Sequence, residues 1–201
     1  METVENIFGR NVVEKALLYA NHEWYATEKN VLHGMDTNGI FVDTPDISWH
    51  GEVLDCGWWK VNQKNKGVPY GWGNASTLEE FDNGIAEGKY AGNVPEDKTR
   101  YRSWFSIGVD CSGLLTVCWD LPKKIVARDI PNIAECIEFE EIMQGDVFAI
   151  SSHVMLFKEF LDVEKTMVKI IDSTRSTGRV SERDFLVGDL FSQGYKIYRK
   201  R

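Results

Sequence analysis

The stretch "IGVDCSGLL", residues 107–115, decides how the rest of the chain is read. Cys111 follows an acidic residue, precedes two small ones, and runs straight into apolar positions. Asp110 is a good helix N-cap, and Leu114, Leu115, Val117, Cys118 and Trp119 provide an apolar side for the helix that follows. In the first turn of such a helix the unpaired N–H groups and the dipole favour an anion, so a thiolate at Cys111 is stabilised there. Ser112 and Gly113 leave room beside it. The competing reading is a buried packing thiol, the common fate of a free cysteine. A nucleophile needs a base, and the base needs an orienting group, so the rest of the chain decides between the two.

Downstream of residue 140 the pattern changes period. "GDVFAI" (145–150), "HVMLFKEFL" (153–161), "TMVKIIDS" (166–173) and "GYKIYRK" (194–200) are short, β-branched or aromatic, and separated by turn residues, so they predict antiparallel strands. His153 opens one strand and shares a face with Met155 and Phe157, because side chains alternate. Asp172 closes the next apolar strand. If the two pair as a hairpin, the start of the first lies beside the end of the second, and Asp172 falls next to His153. A carboxylate there fixes the imidazole tautomer and favours the imidazolium beside Cys111.

The upstream half reads differently. Residues 11–27 predict a helix with Asn11 as N-cap and Val12, Val13, Ala16, Leu17, Ala20 and Trp24 on its apolar side. Residues 33–68 read as loops, 67–74 ("GVPYGWGN") as turn chemistry carrying large aromatics, and "STLEEFDNGIAEGKYAG" as room for a short helix. "NVPEDKTR" reads as exposed. Helices first and strands later predict an α+β domain spanning 1–201.

Composition excludes several classes. Seven Trp, seven Tyr and ten Phe among 201 residues argue against disorder. A net charge of −8, with no basic cluster except the terminal "YRKR", argues against nucleic acid as a partner. No apolar run approaches membrane-span length. The acidic, polar N-terminus does not read as a signal peptide, which leaves two alternatives open: a cytoplasmic protein, or an extracytoplasmic one whose leader lies outside this chain. Cys56, Cys111, Cys118 and Cys136 include no CxxC pair, and His22, His33, His50 and His153 no metal-binding spacing, so neither a metal nor another cofactor is expected. Cys56, Cys118 and Cys136 are read as inert packing thiols.

Four blocks in order resemble the NlpC-type family of bacterial cell-wall cysteine peptidases: "PYGWGN", "DCSGLL", "MQGDVFAI" followed by "HVMLF", and "IIDSTRSTGRV". The resemblance covers most of residues 67–181. It implies a papain-like fold, with a nucleophile helix packed on a small antiparallel sheet, residues 1–66 as an N-terminal extension and 74–108 as an insertion. It implies Cys111 as nucleophile, His153 as base and Asp172 as orienting group, where the family more often has His. Tyr70 would support the oxyanion, Trp72 belongs to the aromatic motif, and Asp110 and Ser112 would contact the free amine of a stem peptide. The implied activity is hydrolysis of peptidoglycan stem peptides, such as a bond between γ-D-glutamate and a diamino acid, with a stem peptide or muropeptide as partner. An amidase or acyltransferase using the same three residues, and a non-catalytic wall-binding module, are the alternatives. Trp49, Trp58, Trp59, Trp72 and Trp104 are candidates to line a substrate groove, or else to pack the loops, and the insertion to fold over one side of the cleft.

Overall fold

The computed structural model describes residues 4–51, 57–95 and 101–201. Cys56 lies outside them, as does the 96–100 part of the stretch expected to be exposed. The chain opens with α1 (Val4–Asn21), followed by β1 (Glu23–Tyr25), β2 (His33–Met35), β3 (Phe41–Asp43) and β4 (Lys64–Lys66). Next come α2 (Leu78–Glu87), β5 (Tyr90–Ala91), β6 (Ser106–Ile107) and α3 (Cys111–Cys118). The last third holds α4 (Ile130–Ile133), β7 (Ala134–Ile137), β8 (Val147–Ile150), β9 (His153–Phe160), β10 (Met167–Thr174), β11 (Arg179–Leu186), α5 (Val187–Ser192) and β12 (Lys196–Lys200).

One six-stranded sheet dominates, in the order β11-β10-β9-β8-β12-β7, with every pairing antiparallel. Alternation along its strands feeds two cores. Val154, Leu156 and Ile171 face α1 and α3, and join Val12, Ala16, Leu114, Leu115 and Trp119. Met155, Phe157 and Ile170 face the other way, against Phe148, Val187 and Leu190.

The papain-like expectation, a nucleophile helix packed on a small sheet, is not met: the sheet is the body of the molecule and the helices beside it are few. The physical reason lies at the end of α3. Asp120 takes a left-handed φ of 51° and Pro122 follows, so the helix stops after eight residues. It shares its sheet face with α1, while β7 and β12 widen the sheet beyond the expected hairpins.

The N-terminal helix is also displaced from its expected span. It ends at Asn21, Asn11 lies inside it, and Trp24 belongs to β1, which pairs with β4. The indole of Trp24 donates to the Gly67 carbonyl at 2.8 Å and meets Phe81 edge-to-face at 5.3 Å.

Within 74–108, α2 and β6 contribute Phe81, Ile85 and Ile107 to the main core. Thr77 and Glu80 form a capping box at the start of α2, and Gly88 ends the helix in the left-handed region. Phe81, fully buried, is inserted among Trp24, Ile85, Ile107 and neighbours of the main core. Phe81→Ala should therefore cost about 3–5 kcal/mol, measured by urea unfolding. A loss below about 0.5 kcal/mol, the range of surface substitutions, would show α2 to be a detachable appendage.

Candidate functional site

The backbone around Cys111 is built from crossings. Tyr70 and Gly71 bridge to Val109 and Asn93 in parallel, while Ala75 and Pro69 bridge to Val109 and Arg179 in antiparallel fashion. The Ser173 hydroxyl at the end of β10 donates to the Val109 carbonyl at 2.7 Å. Two glycines permit this crowding. A Cβ on Gly108 (φ 148°) would stand 2.4 Å from the Pro69 carbonyl oxygen, and one on Gly113 would stand 2.0 Å from that of Asn74. The "G-V-D-C-S-G" spacing thus carries a steric requirement as well as a helix start.

Asp110 caps α3. Its Oδ1 accepts from the Gly113 amide at 2.6 Å and from the Ser112 hydroxyl at 3.0 Å, and its Oδ2 accepts from the Gly73 amide at 2.9 Å. Lys124 donates to Asp110 at 3.0 Å and to Ser112 at 3.1 Å. Asp110 and Ser112 are buried, and this ammonium occupies them from within the chain. Sequence reasoning missed Lys124; the signal available was only a lysine shortly past the end of the helix.

The half-buried Cys111 thiol lies near enough to His153 to act on its charge. The Nε2 of His153 meets Asp172 Oδ2 at 2.7 Å, so Nδ1 is the ring nitrogen the carboxylate leaves open. The geometry comes from a departure in the sheet. The β9–β10 ladder carries a register shift at Lys169/Ile170 and ends at Ile171↔Leu156. Beyond that point β9 stays with β8, as in the Ile150↔His153 pair, and the imidazole reaches across to the carboxylate.

Burial opposes charge on His153, but the bonded Asp172 and the nearby Cys111 outweigh it, and its pKa is pushed up to about 9.

Asp172 is fully buried, and a second cation satisfies it. Arg183 donates from Nε to Oδ1 at 3.0 Å and from a terminal nitrogen to Oδ2 at 2.5 Å. The sequence did contain this signal: Asp172 pairs with Ser181 across β10 and β11, so Arg183, two residues on, shares its face. It went unread because "RVSERDFL" is polar and does not look like a strand. Tyr195 also lies within the field of the site; burial first, and then the Asp172 charge, hold its phenol above the usual range.

The buried Tyr70 phenol is likewise held well above its ordinary range by burial, then by Asp110 and Cys111. It keeps its proton and can donate beside the thiol. Trp72 packs with Trp49, Tyr70 and Val94 in a small separate cluster. Trp59 is fully buried, Trp58 donates to the Gly178 carbonyl at 2.9 Å, and Trp104 is 65% exposed, so these indoles do not line one groove.

Cys118 is buried, and burial pushes its thiol up to about 12, which suits a packing role. Cys136 is exposed, against the expectation of burial: it sits on the edge strand β7. Among the described residues no cluster of His, Cys, Asp or Glu fits a metal, and no helix is long and apolar enough to cross a membrane. No family model matches the chain, and no curated protein matches it significantly.

Proposed function

We propose that the chain is a cysteine hydrolase that opens an amide bond in peptidoglycan stem peptides through an acyl-thioester on Cys111. The observation that carries the chemistry is the grouping of thiol, imidazole and carboxylate, with His153 bonded to Asp172 at 2.7 Å and Cys111 near enough to act on its charge. The substrate class rests on the resemblance of the four motif blocks to the NlpC-type peptidases.

In this reading the Cys111 thiolate attacks the carbonyl carbon, and the carbonyl oxygen takes the negative charge. The Tyr70 hydroxyl and the N–H groups at the start of α3 donate to that oxygen. The tetrahedral intermediate collapses as the C–N bond breaks and His153 gives its proton to the departing amine. Water then attacks the thioester, His153 takes its proton, and the acid leaves with the thiol restored. Asp172 holds the imidazole throughout.

The test is digestion of purified peptidoglycan with fragments identified by mass spectrometry, repeated across pH. Release of stem-peptide fragments is expected. Because His153 is protonated below about 9, the rate should fall as pH rises through that value and the imidazolium is lost. Absence of peptide-bond cleavage at any pH refutes the substrate class; cleavage of other amides alone assigns the triad to an amidase.

A further inference from the structure

A cavity of about 470 Å3 lies between the start of α2, the 103–107 segment and the end of α3. Four cations line it: Lys89, Arg102, Lys123 and Lys124. The acid among its lining residues is Glu80, whose carboxylate already accepts from the Thr77 amide at 2.8 Å. Lys124 is paired with Asp110, and Arg102 stacks on the Trp104 ring with its guanidinium carbon 3.9 Å from the centroid. Among the described residues no carboxylate pairs with Lys89 or Lys123.

The chain as a whole carries −8, so a concavity with this sign runs against the average. Like charges gathered around a hollow repel one another, and an anion in the hollow offsets that repulsion. Two further features describe the shape of the ligand. Val117, Leu121 and Pro122 make an apolar side, and the exposed indole of Trp104, one face of which Arg102 covers, offers its other face at the margin. The volume suits a monosaccharide-sized ligand.

We propose that this cavity binds a phosphorylated sugar, with the phosphate on Lys89 and Lys123 and the ring against Trp104. None of Cys111, His153 and Asp172 lines the cavity, so ligand binding there can be measured separately from the proposed hydrolysis.

The test is calorimetric titration of the full chain with glucose 6-phosphate, inorganic phosphate and glucose. Saturable binding of glucose 6-phosphate is expected, weaker at higher salt, with inorganic phosphate binding less tightly and glucose not at all. Lys89→Gln combined with Lys123→Gln should lower the affinity by at least about tenfold, since two charge-assisted contacts are lost. Trp104→Ala should abolish the advantage of the sugar phosphate over inorganic phosphate. Lys123 and Trp104 are exposed and Lys89 is half-buried, so the variants should keep the parent's unfolding midpoint. Three results would each overturn the proposal: no saturable binding, undiminished binding by the double variant, or equal affinity for phosphate and glucose 6-phosphate.

Discussion

Cys111→Ala should lose at least about 10^4-fold in turnover of a stem-peptide substrate while unfolding at nearly the same denaturant concentration. The sulfur is the atom that forms the acyl bond in the proposed reaction, so neither His153 nor Tyr70 can substitute for it. Its contribution to packing is small, because Cys111 is half-buried and touches the main core only from its margin. Cys118→Ala is the matched contrast. That side chain is buried inside the same helix, and removing it opens a small void, so stability should fall while turnover stays close to the parent's. Turnover and urea unfolding of both variants check this. Undiminished turnover by Cys111→Ala would remove the thiol from the mechanism and return it to a packing role.

Arg183→Met should cost about 3 kcal/mol of stability, the scale for breaking a buried ion pair from one side. Asp172 has no exposed side-chain surface, and Arg183 makes two of its contacts. With Arg183 gone, the carboxylate keeps only His153 as a cationic neighbour and is free to turn away from it. Activity should fall as well, and the pH at which it falls should move from the parent's, because the group that sets the imidazole's protonation has shifted. Arg183→Lys should recover part of the stability but little of the orientation, since a lysine cannot grip both oxygens at once. Adding Asp172→Asn to Arg183→Met removes the stranded charge, so stability should return while activity stays low. Urea unfolding and kcat/KM across pH measure both effects. Parent-like stability and an unmoved pH profile in Arg183→Met would show that the pair does not position His153.

The parts of the site legible in the sequence were those written in local chemistry. A cap residue before a short apolar run located the start of α3, and strand alternation with a hairpin argument set Asp172 beside His153. What escaped notice depended on pairing partners rather than on local pattern. β11 is an edge strand whose exposed face is polar, so it carries little apolar signal, and Arg183 was lost with it. The N-terminal helix was misplaced because Trp24 fits a helical spacing as well as it fits a strand buried against Phe81. The size of the sheet was not legible either. β7 is four residues long, and its inclusion depends on β12, more than fifty residues later. For 74–108, turn residues at its tips suggested a loop beside a cleft and Phe81 a candidate anchor; the depth of that anchor, fully buried in the core, depends on Trp24 and Ile107 and is not written in the local pattern.

The crossings around Val109 set the order in which the molecule can be made. Residues 69–71, 75, 93, 109 and 179 meet at one point, and Ser173 and Arg183 are needed to fix the strand end and the carboxylate. These pieces are far apart along the chain, so their meeting requires closing long loops, which is slow compared with forming α1 or a single hairpin. A ribosome that has released Cys111 has therefore released an ordinary cysteine. Its surroundings come into being only after the β10–β11 hairpin has been synthesised and docked onto the 68–71 segment. Truncation anywhere before residue 183 leaves a thiol without its assembled neighbours, and the formation of this site is a late report that the whole chain has found its topology.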